Sequence, residues 1–249
     1  MIKYLYKMFF NKGEKPIFLF FIFSFIVFVI SLIQVPICEC IHHEVLKIIF
    51  LSDGIKTISG GIVSAYVLYI FVELKPKYEK EKKALYVLDK AIASVVEGFF
   101  LPNIFQHEKS IRHIKFEMKS SNEKIQEAIQ NIKDKEVDFL QLKITMQTAH
   151  SRYFDFQNLL TLAVNLSPEC GLYWLDLIDK IRLLADEMEN QIDNPDMNIL
   201  HDLKSINSTN EMNPTALFCS SLMLRVMEFF ESAIEWNNQD KKILIQSND

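Results

Sequence analysis

"ISGGIVSAYVLYIFVELKPKYEKEKK", Ile58–Lys83, turns from apolar to densely charged within a few residues. Up to Leu74 its only charged side chain is Glu73; Lys75, Lys77, Lys80, Lys82 and Lys83 follow at once. The apolar part extends back to Ile55, and about 20 helical residues rising about 1.5 Å each cover the roughly 30 Å hydrocarbon core of a bilayer. Lys56 and Glu73 stand near the two ends, where long side chains snorkel to the headgroups. The stretch therefore predicts a membrane span over 55–74 that leaves the bilayer at Leu74–Lys77.

A second block lies upstream. "IFLFFIFSFIVFVISLIQVPI", Ile17–Ile37, has no charge, and its Phe and Ile side chains cover every helical face, whereas a soluble helix needs a polar stripe. It exceeds the apolar region of a cleaved signal peptide, and no small-x-small site follows it. The expected fold class is all-α. An N-terminal two-helix transmembrane hairpin occupies residues 1–83, with spans about 17–37 and 55–74, and a cytoplasmic helical bundle occupies 84–249. In the second span Gly60 and Ser64, and likewise Gly61 and Ala65, sit four apart, so one face allows close backbone approach. That face is expected to pack, either on the first span or between protomers of a homo-oligomer.

Basic residues stay on the cytoplasmic side of a span. Lys3, Lys7, Lys12 and Lys15 precede the first block and the five lysines follow the second, while the connecting loop offers Lys47 alone, with Lys56 at the start of span two. Both termini are therefore expected in the cytoplasm. Residues 1–83 hold 11 Lys and Arg against 7 Asp and Glu, and residues 84–249 hold 16 against 25. An acidic cytoplasmic part disfavours nucleic-acid binding by bulk charge, since phosphate repulsion would have to be overcome locally.

The outward loop, "PICECIHHEVLKIIFLSDG", crowds Cys38, Cys40, His42, His43 and Glu44 together. Cys-x-Cys-x-His-His lacks the paired spacing of a zinc module, so no metal is expected; disulfides of Cys38 and Cys40 between protomers and a segment lying in the membrane interface stay open as readings. Cys170 and Cys219 read as small core residues.

Beyond Lys83 apolar residues recur at three and four. The series Leu85, Leu88, Ile92, Val95, Phe99 is followed by Ile111, Ile114, Met118, Ser121, Ile125, Ile129, Ile132, and both predict helix, interrupted by Gly98 and Pro102. Ser167-Pro168-Glu169 predicts a capped helix start with Trp174, Ile178, Ile181, Ala185, Met188 and Ile192 on its inner face. Asn213-Pro214 opens a last helix carrying Leu222, Val226, Phe229, Ala233 and Trp236. Asn194-Pro195 and Ser205–Asn213 read as loops, and no hairpin pattern calls for a sheet. "KPKYEKEKK" reads as a solvated helix face with near-neighbour ion pairs, its lysines also suited to anionic headgroups.

Chemistry-bearing motifs are missing. The six glycines include no GxGxxG or GxxxxGK spacing, "HEKSI" at His107 lacks the second histidine of HExxH, and no GxSxG occurs. No arginine is followed four to six residues later by a histidine, as in a helical ribonuclease class of defence proteins. Asp186, Glu187 and Glu189 read as a solvated face. No catalytic residue, cofactor or enzymatic activity is expected.

"SGGIVSAYVLYIFVELKPKYEKEKK", Ser59–Lys83, resembles the second span and exit of small bacterial two-transmembrane-helix proteins with a helical cytoplasmic domain, a group that includes retron-associated anti-phage membrane effectors. The resemblance covers about 25 residues. It implies an inner-membrane effector held inactive by a reverse transcriptase–DNA complex until infection, after which it oligomerises and perturbs the membrane. The residues alone fit equally a non-pore anchor or scaffold that recruits a cytoplasmic partner.

Overall fold

The computed structural model describes residues 15–33, 53–101, 113–208 and 213–246. The chain is all-α, with no strand among the described residues. Eight α-helices are described: α1 Lys15–Ile33, α2 Asp53–Tyr69, α3 Lys75–Phe100, α4 Asn122–Lys133, α5 Phe139–Val164, α6 Pro168–Asp186, α7 Met197–His201 and α8 Pro214–Gln246. They divide into two compact units. One holds the described residues up to Glu81 together with the end of α8 from Lys242, and the other is Lys82–Lys241.

Helix runs unbroken from Asp53 to Phe100. Between α2 and α3, Ile70–Leu74 forms one π turn, in which the Lys75 N–H donates to the carbonyl of Ile70, five residues back. Pro76 explains it. A proline inside a helix has no N–H to donate, and its ring presses on the carbonyl four residues earlier, here that of Val72. A widened turn just before the ring lets the helix continue, as π-bulges do.

The second unit is built around its two tryptophans. Trp174 on α6 is fully buried, stacks on Phe156 of α5 (5.0 Å, 7° between planes) and meets Trp236 of α8 edge-on at 5.2 Å. Both indole N–H groups are used: Trp174 donates to the Phe156 carbonyl (2.9 Å) and Trp236 to Asp89 Oδ1 on α3 (3.0 Å). Three helices thus share one aromatic cluster, tied to α3 through Asp89, with each buried polar tip satisfied. The expected inner faces of α3 and α8 are buried, and so are Trp174, Ile178, Ile181 and Ala185 of α6.

The predicted helix starts form by their side chains. Ser167 Oγ accepts from the Cys170 N–H at 3.0 Å with Pro168 in the first turn, and Asn213 Oδ1 accepts from the Thr215 N–H at 2.9 Å. Cys170 and Cys219 are buried core residues, and burial pushes the Cys219 thiol up to about 11, so it stays protonated at neutral pH.

Several expectations need correction. The apolar spacing through Ile114, Met118 and Ser121 is not helical: 114–117 has no regular structure, Met118–Ser120 is a 3-10 turn, and helix begins only at Asn122. Side chains hold this segment instead. Glu97 Oε2 accepts from the N–H groups of Lys115 (2.7 Å) and Phe116 (2.8 Å), Lys90 Nζ donates to the Ile114 carbonyl (2.7 Å), and Asn237 Nδ2 donates to that of Met118 (2.6 Å). Gly98 does not interrupt α3. It admits α5, since a Cβ there would lie 3.0 Å from Thr148 Oγ1. Helix α6 ends at Asp186, short of Met188 and Ile192. The short α7, for which the spacing gave no expectation, follows the Asn194-Pro195 loop and is capped by Asp196 accepting from the Asn198 N–H at 3.0 Å, and the expected loop from Ser205 opens within a 3-10 turn, Leu203–Ser208. Pro102 and Ile111 lie outside the described residues.

Helix α4 closes in a Schellman pattern: the Lys135 N–H donates to Ile132 O (3.0 Å) and the Glu136 N–H to Asn131 O (2.8 Å). This places Lys135 at φ 58°, where a Cβ costs about 1–2 kcal/mol. Lys135→Gly removes that strain but enlarges the unfolded ensemble, so a net gain of about 0.5–1 kcal/mol is expected. Denaturation midpoints of the two proteins measure it, and an unchanged or lower midpoint contradicts it.

Candidate functional site

The site predicted by sequence is a face of α2, and its geometry begins with α1. The two helices pack through Phe21 and Tyr66, whose rings stack at 4.3 Å, with Ser24, Ser31 and Ser59 also buried. Ser59 is satisfied within its own helix, its Oγ donating to the Ile55 carbonyl at 2.6 Å. On α1 the residues involved are Phe21, Ser24, Phe28 and Ser31, a three–four spacing that gives a narrow contact line.

The four predicted packing residues divide. Gly60 faces α1, where a Cβ would lie 3.1 Å from a ring carbon of Phe28. Only hydrogen fits there without displacing the ring. A Cβ on Gly61 would meet nothing within 4 Å, and Ser64 and Ala65 are exposed. These three share a face with Ile58, Leu68 (63% exposed) and Val72 (73% exposed). The small residues thus serve two surfaces, one occupied within the chain and one open.

Both helices expose large apolar side chains, among them Leu19, Phe20 and Phe23 on α1 and Phe71 at the π turn. One helix among the described residues, Asp53–Phe100, is long and apolar enough to cross a membrane, and only 11% of its apolar window is buried inside the protein. The apolar part of α1, Pro16–Ser31, is shorter than that measure. Residues 34–37 of the predicted first span lie outside the described residues.

At the polar end, Lys75, Lys77, Lys80, Lys82 and Lys83 are all exposed. Among the described residues none of them forms an ion pair, although Glu79 and Glu81 stand at helical spacing from several. The expected near-neighbour pairs do not form. An exposed pair gains little attraction in water and loses side-chain freedom, which removes the incentive. Lys56, at the other end of α2, does pair, with Asp53 at 3.5 Å.

Other candidates carry less. Cys38, Cys40, His42, His43, Glu44 and His107 lie outside the described residues, and no group of three or more potential ligands among the described residues is placed to hold a metal. Asp186 and Glu189 are exposed as expected, but Glu187 is not solvated. At 6% exposure it accepts from the Ser221 hydroxyl and lies 3.9 Å from Arg225 Nε, which ties the end of α6 to α8. Comparison with protein-family models, with curated proteins and with solved structures gives no match.

Proposed function

We propose that the chain is a bacterial inner-membrane effector of an anti-phage, retron-like defence system. In this reading α1 and α2 are the two spans of a hairpin with both chain termini in the cytoplasm. The second unit is the cytoplasmic domain, which receives the trigger or is released by a reverse transcriptase–DNA complex. Copies then associate through the open face of α2 and perturb the membrane, without enzymatic chemistry. The observation that carries the reading is an apolar helix pair whose outward faces are left uncovered by the other described residues. Lipid, and a second copy at Gly61, Ser64 and Ala65, would cover them.

Depolarisation of cells tests it. Inducing the full chain, alone or during phage infection, is expected to collapse the membrane potential, and Gly61→Leu is expected to abolish the effect. The open space at Gly61 makes the leucine tolerable within one copy, so it reports on the lateral face alone. An intact potential at high expression with infection present would sink the effector reading.

A non-pore anchor that recruits a cytoplasmic partner is the second reading. It is favoured by Phe154 on α5 and Leu172 and Leu175 on α6, large apolar side chains left exposed on two adjoining helices. Freeing residues 84–249 from the membrane separates the two. The soluble piece binds its partner on either view, but toxicity needs the spans only for an effector.

A further inference from the structure

We infer that the first turns of α3 form a cationic collar that selects anionic phospholipid headgroups around the span. This rests on the membrane reading and adds the chemistry of the lipid. At about 100° per residue, Lys77, Lys80, Lys82 and Lys83 stand about 200°, 140°, 340° and 80° around the helix from Lys75. The widest gap between neighbouring lysines is about 140°, so no half of the circumference lacks one. Over its roughly 12 Å length the collar therefore presents charge in every direction. A protein partner docks on one side of a helix; a headgroup layer surrounds it.

Three further observations fit headgroups. All five lysines are exposed and free of ion pairs, so their charge is not already matched within the described residues. The collar begins three residues after the exposed apolar Val72, past the exposed Glu73 and the buried Leu74, and Leu68 and Phe71 are exposed just before it, at the height where a helix passes from hydrocarbon to phosphate. Tyr69 and Tyr78 flank the transition, as ring side chains do at a membrane interface. Glu79 and Glu81 also lie in the collar, which leaves it a net charge of plus three on five lysines and two acids. That surplus attracts phosphatidylglycerol over the zwitterionic phosphatidylcholine.

The experiment reconstitutes the full chain into phosphatidylcholine vesicles containing one-fifth phosphatidylglycerol and first checks that it floats with them. Spin-labelled phosphatidylglycerol and phosphatidylcholine then report the lipid held against the protein. A preference for the anionic lipid of about fivefold is expected, from one lysine–headgroup contact per lipid. It should fall towards one in 0.5 M salt and in the variant with all five lysines changed to glutamine. Arginine at the same five positions should keep it. Glutamine and arginine are both good helix formers, so neither variant threatens the helix. A chain that floats but shows no preference, or keeps it with glutamine, overturns the collar and leaves the membrane reading intact. A chain that does not float overturns both.

Discussion

Trp174→Ala is expected to destabilise the helical unit by about 3–5 kcal/mol, the usual range for removing a large aromatic side chain from a core. Three losses coincide at this position. The stacked contact with Phe156 and the edge contact with Trp236 disappear, and each such aromatic pair adds about 0.5–1.5 kcal/mol beyond the area it buries. The indole hydrogen bond to the Phe156 carbonyl is lost as well. The cavity cannot collapse easily, because Phe156, Trp174 and Trp236 are supplied by three different helices and filling it would shift all of them. In a unit of this size the fall in melting temperature should reach roughly 10 °C. Thermal or chemical denaturation of the full chain in detergent, followed by circular dichroism, measures it. Trp174→Phe, which keeps a ring over Phe156 but not the N–H, should cost less than half as much. A loss below about 1 kcal/mol for the alanine variant would mean that the aromatic cluster is not the centre of the core.

Why some of this organisation is readable from the chain, and some is not, follows from where the burial contrast lies. Helices α3 and α8 bury Leu, Ile, Val and Phe on one face and carry charge on the other, so their spacing is plain. Helix α5 is as long as α3 but invisible by the same test. Its inward positions include Thr145, Ala149 and Arg152, while Phe154 and Val164 face outward. Its start is marked by a capping box of Asp138 and Gln141, in which the Gln141 side chain accepts from the Asp138 N–H at 3.0 Å. The segment around Ile114 and Met118 fails in the opposite direction. Those side chains are buried at helix-like intervals, but their backbone is held by Glu97, Lys90 and Asn237, and residues so distant in sequence leave no local signature.

The α2 face shows the same limit. Two glycines side by side announce close packing but not which neighbour each one meets, and only the position of Phe28 assigns Gly60 to α1 and leaves Gly61 open. The π turn was legible in principle from Pro76, since a proline within a continuing helix requires some relief. Glu187 was not, because its burial depends on Ser221 and Arg225 of another helix. Charge and apolar spacing along the chain thus carry the helical class, whereas contacts between residues far apart in sequence leave no trace in either.

Glu97→Ala is expected to release the main chain at 115–116 while leaving the helices folded. Glu97 is a carboxylate at 4% exposure, and one of its oxygens satisfies two N–H groups that no regular structure serves. Hydrogen bonds to a charged group contribute about 1.5–3 kcal/mol each, and an abandoned buried donor costs more than the bond itself contributes. Lys90 and Asn237 still hold Ile114 and Met118 from the flanks, so the opening stays local. A local loss near 3 kcal/mol corresponds to amide exchange at Lys115 and Phe116 about a hundredfold faster, with α4 and α8 little changed. Glu97→Gln keeps an acceptor oxygen but not its charge, and should accelerate the same amides only about tenfold. Hydrogen exchange on the full chain distinguishes the cases by position. Equal acceleration throughout the unit would show that Glu97 supports global stability, and unchanged protection at 115–116 would show that its two hydrogen bonds do not hold the segment.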